Sequence, residues 1–320
     1  MAASPRSVFI TGALGLIGRR LAERYRAEGA EVRGMDVRAD PAAGVVAGDL
    51  TVPGDWQDAA AGADCVIHTA AVVGMGRKPD AATWWRVNVL GTRHALDAAV
   101  RGDAQRFVHF SSIVTFGLDY PDGVDERYPL RPTGVPYVDT KVASEQAVFA
   151  AHAGGEVPCT IIRPGDVYGP GSHFWTVTPV REIKRRRLML PAMGKGHVSP
   201  VYIDDLVQGV MLAAAAPEGV GQAFTLTGGA GVETRDYFGR YARMVGKDSV
   251  PVAPTPVVIA MAATLGRTSD EVTPDGVRYL ARKGTYSIQK ARSLLGYEPA
   301  VGLDEGMRRS QEWLRAEGFL

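Results

Sequence analysis

Short, unbroken apolar runs alternate with longer stretches of helical periodicity through the first half of the chain. Val8-Phe9-Ile10, Glu31 to Met35, Val45-Val46-Ala47, Asp64 to His68, Arg106 to Phe110 and Cys159 to Arg163 predict buried strands. Leu16 to Glu28, Trp84 to Val100 and Tyr137 to Ala153 predict helices between them. This alternation predicts an α/β fold on a doubly wound parallel sheet. After Arg163-Pro164 the texture changes. Gly, Pro and aromatic residues gather through Phe174-Trp175, with returns to the sheet expected near Val201-Tyr202-Ile203 and Ala223 to Leu226. There is no internal repeat and no low-complexity linker. The expected organisation is a sheet domain over residues 1–167, rejoined near 200–227, with a small lobe built from 168–199 and 228–320.

Directly after the first strand comes Thr11-Gly12-Ala13-Leu14-Gly15-Leu16-Ile17-Gly18. Each glycine has its own use. Gly12 permits a tight turn, Gly15 lets backbone approach a pyrophosphate, and Gly18 lets the helix pack on the sheet. The helix opening at Leu16 and Ile17 turns its N–H groups and partial positive charge toward the phosphates. The sheet domain is thus read as a dinucleotide-binding domain. Asp36, 18 residues after Gly18, ends the second strand, where a carboxylate accepts hydrogen bonds from ribose hydroxyls and repels a 2′-phosphate. This favours NAD(H). Arg38, two residues on, is suited to adenine or to a 2′-phosphate and leaves NADP(H) open.

Tyr137 and Lys141 are four residues apart, on one face of a helix. A free phenol titrates near pH ~10 and is a poor base at neutral pH. An adjacent ammonium, together with a cationic nicotinamide ring, is expected to lower that value. Lys141 is also placed to hold the nicotinamide ribose. Ser112 lies two residues beyond the strand ending at Phe110, where it can orient a substrate oxygen toward Tyr137. Ser112, Tyr137 and Lys141 are the candidate catalytic set, and Tyr137 and Lys141 are also cofactor contacts.

The net charge of +1 removes any bulk electrostatic case for nucleic acid or membrane binding. Lys184-Arg185-Arg186-Arg187 reads as a solvated helix face, with a patch for an anionic substrate or acyl carrier as the sharper reading. Pro256 to Leu265 is apolar but too short to span a bilayer and reads as a buried helix or a pocket wall. Cys65 and Cys159 fall inside predicted strands and read as buried reduced thiols, neither metal ligands nor a bridge. The N-terminus carries no apolar signal stretch, so a cytoplasmic location is expected. No metal site is expected.

The motifs jointly resemble the extended short-chain dehydrogenase/reductases of the NAD-dependent epimerase/dehydratase superfamily. The matches include Thr11 through Gly18, Asp36, Gly48-Asp49-Leu50, His68-Thr69-Ala70-Ala71, Asn88 to Thr92, Ser111-Ser112, Tyr137 with Lys141, Arg163 to Pro170 and Tyr202 to Leu206. Ser287 to Arg292 and Leu295 to Pro299 also fit, so the likeness spans nearly the whole chain. It implies a Rossmann-type domain with a C-terminal substrate-binding lobe. It implies that Asp49 and Leu50 frame the adenine, that Ala70 and Ala71 line the dinucleotide path, and that backbone from Pro164 to Val167 meets the nicotinamide end. Ser111 is counted with the cofactor contacts, and Asn88 with structural hydrogen bonding. The resemblance also implies a homodimer joined by the helices containing Asn88 and Tyr137.

Three departures narrow the expected reaction. Ile113-Val114 follow Ser112 where sugar dehydratases resembling this chain carry an Asp-Glu pair. Asp166 stands where nucleotide-sugar epimerases usually place Asn, and a carboxylate there is expected to repel a diphosphate. His197 to Pro200 lacks the arginine that those epimerases tend to carry. The chain is closer to 3β-hydroxysteroid dehydrogenases and dihydroflavonol-type reductases. The expected function is hydride transfer between NAD(H) and a secondary alcohol or ketone of a small, neutral, fairly apolar substrate. Met75, Phe174, Trp175, Met189 and Met193 are its pocket candidates. A nucleotide-sugar 4-epimerase and a non-catalytic NAD(P)-binding regulatory protein are the alternatives.

Overall fold

The computed structural model describes residues 4–74, 79–265 and 273–320. Seven strands form one parallel sheet. They are β1 (Ser7–Thr11), β2 (Glu31–Asp36), β3 (Val45–Ala47), β4 (Cys65–His68), β5 (Arg106–Phe110), β6 (Cys159–Pro164) and β10 (Gln222–Leu226). Their order is β10-β6-β5-β4-β1-β2-β3, and every pairing is parallel. Side chains alternate across the sheet. Val8 and Ile10 pack on one face with Leu21 and Tyr25 of α1 (Leu16–Ala27), while Phe9 packs on the other with Val66, Phe107 and Ala99. Both faces are covered, so the strands are near-continuous apolar runs rather than alternating ones. Strand order reverses between β1 and β4. In doubly wound sheets the crevice beyond the carboxyl ends at such a reversal is the usual place for a ligand.

On the second face lie α2 (Ala81–Trp85), α3 (Gly91–Arg101) and α4 (Pro136–Ala153). The helix expected from Trp84 begins at Ala81, where the Asp80 side chain accepts from Thr83 N at 2.9 Å, and a π-helical turn, Arg86–Leu90, interrupts it. The first face carries α1 and α6 (Ile203–Ala215).

One expected return to the main sheet is corrected. β9 (Pro200–Tyr202) pairs with β7 (Asp166–Tyr168) in a separate two-stranded sheet, whereas β10 does rejoin the main sheet beside β6. A second pair joins β8 (His197–Val198) to β11 (Val232–Glu233). The remaining helices are α5 (Thr178–Lys184), α7 (Thr234–Met244), α8 (Thr255–Leu265), α9 (Pro274–Ala281), α10 (Gln289–Leu295) and α11 (Leu303–Ala316). Tyr237 and Tyr241 on α7 both donate to the Trp175 carbonyl, at 2.8 and 2.7 Å. Asp205 on α6 accepts from Ala300 N and Val301 N at 2.9 and 3.1 Å, fastening the segment between α10 and α11. At the outer strand β10, the Glu126 carboxylate accepts from Thr225 N at 2.6 Å.

Two further expectations change. α8 is not fully buried: Val258 and Ala262 face the interior, while Val257 and Met261 are exposed. The basic run is not one helix face, because α5 ends at Lys184 and Arg186 takes a left-handed φ of 57°. Cys65 and Cys159 are buried free thiols. Among the described residues, no helix is long and apolar enough to cross a membrane.

Candidate active site

The glycine turn after β1 is shaped by what it must approach. Gly12 has φ of 70°, and a Cβ there would lie 2.8 Å from the Ala70 backbone. A Cβ on Gly18 would run into the Gly12 carbonyl. Gly15 is exposed at the N-terminus of α1, whose first turn holds no acidic residue and no capping side chain. The N–H groups at Leu16 and Ile17 are thus available to an anion. Leu14, Gly15, Leu16, Pro170 and Gly171 line one open groove of ≈540 Å³ here.

At the end of β2, Asp36 is oriented by backbone: Oδ2 accepts from Leu14 N at 2.9 Å and Oδ1 from Val37 N at 2.8 Å. Each carboxylate oxygen keeps further acceptor capacity for a ribose diol. Arg38 is exposed two residues on. Asp49 is exposed and caps Thr51 N at 2.8 Å, while Leu50 is buried and its carbonyl meets His94 Nδ1 at 2.7 Å. Ala70 and Ala71 are half-buried beside the glycine turn. Asn88 accepts from Val72 N at 2.8 Å and donates to Val72 O and Thr140 Oγ1, pegging the loop after β4 to α4. An uncovered helix N-terminus, a close-approach turn and a preset carboxylate fit a dinucleotide.

Ser112 caps a short turn past β5, its Oγ accepting from Val114 N at 3.3 Å. Tyr137 and Lys141 share one face of α4, as the spacing predicts. The Lys141 Nζ donates to Phe110 O at 2.7 Å. Burial lowers the Lys141 ammonium to about 8, and the Glu145 carboxylate works against that fall. The expected lowering of the Tyr137 phenol is not found in the protein alone. Burial pushes it up and the Asp166 charge adds to this, while hydrogen bonding with Ser112 pulls it back. Val114, Val135, Leu118, Trp175, Tyr279 and Leu280 form an apolar cluster with the Tyr137 ring.

Several expectations need correction. The Ser111 hydroxyl donates to Glu145 Oε2 at 2.7 Å inside the protein and is not turned to the dinucleotide groove. Pro164 and Val167 are not among these: Pro164 is buried at the end of β6, and the carbonyl of half-buried Val167 accepts from Ser172 Oγ at 2.8 Å, which leaves their assignment open. Asp166 is not a free carboxylate. Arg282 Nη2 donates to it at 2.8 Å, the Tyr279 hydroxyl at 2.5 Å and Ser199 N at 2.7 Å. Both members of the ion pair are buried, so the pair presents no net charge to repel a substrate. Of the pocket candidates, Trp175 reaches Tyr137, Met189 packs under α8, and Phe174 and Met193 are exposed. Met75 lies outside the described residues.

Reading the sequence also missed a buried set behind the site. Glu145 pairs with Arg163 of β6, and both are essentially fully buried. Glu145 follows Lys141 by four residues, so the stripe Tyr137, Lys141, Glu145 was there to be read. The partner from β6 carried no local signal.

A model of the NAD dependent epimerase/dehydratase family matches residues 8–226. The 4-hydroxy-2-methyl-3-oxo-4-farnesyl-3,4-dihydroquinoline-1-oxide ketoreductase of Stigmatella aurantiaca is 31% identical, covering 93% of this chain and 94% of its own. A 3-beta-hydroxysteroid dehydrogenase of Mycolicibacterium neoaurum is 29% identical, with 94% and 89% covered. The solved structure of MoeE5 in complex with UDP-glucuronic acid and NAD superposes with a TM-score of 0.80 at 25% identity, with 97% and 99% covered. With these relatives the enzyme is an NAD-dependent oxidoreductase, and the chain belongs to the NAD dependent epimerase/dehydratase family.

Proposed function

We propose that the enzyme interconverts a secondary alcohol and a ketone on a neutral, largely apolar small molecule. One observation carries this reading: Ser112, Tyr137 and Lys141 meet at the carboxyl edge of β5 against an apolar wall. Tyr137 gives the proton to the substrate oxygen or takes it back. Ser112 binds that oxygen and orients it toward the phenol. Lys141 supplies positive charge as phenolate develops and holds the ribose. NAD, when bound, accepts or supplies the hydride. Gly12, Gly15, Leu16 and Ile17 hold its pyrophosphate, Asp36 its ribose, and Asp49 and Leu50 its adenine, while Ala70 and Ala71 line the dinucleotide path and Pro164 and Val167 lie toward the nicotinamide. Water elimination is disfavoured because Ile113 and Val114, next to Ser112, are buried and apolar.

Residues 1–167 and the segment 200–227, of which β10 rejoins the main sheet, are assigned to the dinucleotide, and 168–199 with 228–320 to the substrate. The reading also takes the enzyme as a cytoplasmic homodimer. The two unpaired buried thiols fit a reducing compartment, and the helices bearing Asn88 and Tyr137 form the dimer contact.

The test is a panel of steroid and other ketones, secondary alcohols and UDP-sugars, followed through absorbance of the reduced nicotinamide. Net NADH change is expected with neutral ketones or alcohols. UDP-sugars are expected to bind more weakly than about 1 mM by calorimetry, since the Arg282 guanidinium is committed to Asp166. Tight UDP-sugar binding with epimer formed and no net NADH change would favour the epimerase instead.

Asp36→Ala removes the ribose acceptor and the anchor of Leu14 N. NAD(H) affinity is expected to fall by roughly 10-fold or more, the loss of a charged hydrogen bond, while relative use of NADP(H) rises. A wild type that strongly prefers NADPH would transfer the assignment to Arg38.

A further inference from the structure

Behind the proposed catalytic face lies a buried ionic group to which the reaction itself assigns no work. Glu145 is fully buried on α4, one helical turn beyond Lys141. Its carboxylate is fixed from two strands. Arg163 of β6 donates to both oxygens, and the Ser111 hydroxyl, just past β5, donates to Oε2 at 2.7 Å. Arg163 is itself held over the Phe116 ring, 4.8 Å from its centroid. A buried pair of this kind gives little stability, because desolvation of both ions offsets their attraction. Its placement therefore calls for another account.

Lys141 supplies it. The lysine is buried, and among the described residues its ammonium donates to the Phe110 carbonyl, a neutral group. Apart from the Arg163 guanidinium, which is paired with Glu145, the other titratable groups that face it carry no charge. His68 of β4 and His109 of β5 are both held neutral by burial. Tyr137, one turn back on α4, is held as the phenol. Geometry brings Glu145 to the lysine: the Lys141 Nζ is held at the Phe110 carbonyl and the Glu145 carboxylate at the hydroxyl of Ser111, the next residue of the chain, with the two side chains one turn apart on α4.

We propose that Glu145 is a positioning residue of this active site: clamped by Arg163 and Ser111 one turn behind Lys141, its carboxylate keeps the lysine in the ammonium form that Tyr137 needs. The inference rests on the oxidoreductase reading for its purpose, but its physical content does not depend on any substrate. Arg163 fixes the carboxylate in place. It also sets a penalty: removing Glu145 alone leaves a second buried cation near Lys141.

The experiment is a ¹³Cε-lysine NMR titration of the whole protein, with the Lys141 signal identified by its loss in Lys141→Met. Wild-type Lys141 is expected to titrate near 8. In Glu145→Gln its midpoint should drop by about one pH unit or more, the size of effect an opposite charge at close range exerts. In Glu145→Gln/Arg163→Met the buried pair is replaced by neutral groups, which proteins tolerate better than a broken pair. The drop there should be smaller than in the single variant, but of the same sign. The double variant carries the test if the single one fails to fold. An unshifted Lys141 in whichever variant folds overturns the proposal. With a turned-over ketone in hand, the pH at which kcat falls should move with the Lys141 midpoint, which a purely structural Glu145 would not cause. A wild type inactive on every substrate, with the NMR shift present, would count against the oxidoreductase reading and leave the Glu145–Lys141 coupling standing.

Discussion

Replacing Tyr137 with Phe is expected to cut turnover about 100-fold or more, the usual cost of losing a general acid–base group. That corresponds to roughly 2.7 kcal/mol in the barrier. The ring packs against Trp84, with centroids 5.7 Å apart, and joins the apolar cluster with Trp175 and Tyr279, contacts that Phe preserves. Cofactor affinity should therefore stay within a few-fold of wild type when measured by NADH fluorescence. Only the phenolic proton is lost. Near-normal kcat in this variant would remove Tyr137 from the chemistry and take the mechanism with it.

The second large effect is on stability in acid. His68 and His109 occupy matched positions on β4 and β5 and stack with centroids 5.5 Å apart. Thr92 Oγ1 donates to Asn88 O, so it accepts from His68 Nε2, while His68 Nδ1 accepts from Thr11 Oγ1. Ser144 Oγ likewise donates to Lys141 O, so it accepts from His109 Nε2, and among the described residues His109 Nδ1 has no acceptor to meet if protonated. Burial is the main cause that lowers both, His68 to about 3 and His109 well below its ordinary value. In the unfolded chain each takes up a proton near pH 6.5. The stability that these neutral forms provide is thus complete above pH 6.5 and is lost as pH falls toward the folded values. By linkage His68 alone should cost up to about 2.7 kcal/mol at pH 4.5, and His109 adds in the same direction. Urea midpoints at pH 7.5, 5.5 and 4.5 measure this, and His109→Asn should flatten the slope. Equal midpoints at 7.5 and 4.5 would refute the buried-neutral assignment.

The parts of this molecule that were legible in the sequence are those encoded locally. Buried parallel strands are apolar over their whole length, so Val8-Phe9-Ile10 and Cys65 to His68 identify themselves. The glycine turn, Asp36 at a strand end, and Tyr137 with Lys141 are all fixed by spacing within one strand, turn or helix. What escaped depends on partners distant in the chain. Asp166 read alone is a bare negative charge, and its meaning reverses once Arg282 arrives from 116 residues away. Ser111 and Ser112 are adjacent, yet the chain past β5 sends one hydroxyl inward to Glu145 and the other to the Tyr137 phenol. β9 is only three residues long, too short for its composition to say which strand it joins. The uniformly apolar run of α8 has no period to reveal which face is covered, and half of it is not.

The bond from Thr225 N to Glu126 has a consequence for self-association. β10 closes one margin of the parallel, apolar sheet, and such a margin is a template on which another chain can lay an eighth strand. A carboxylate seated on one of its peptide donors removes a rung that the incoming strand would need, and places a charge in its path. The side chain comes from a loop almost 100 residues upstream, so the guard is in place only once that loop has docked. During synthesis the margin is bare, and the interval before docking is when this protein is most exposed to strand-to-strand aggregation.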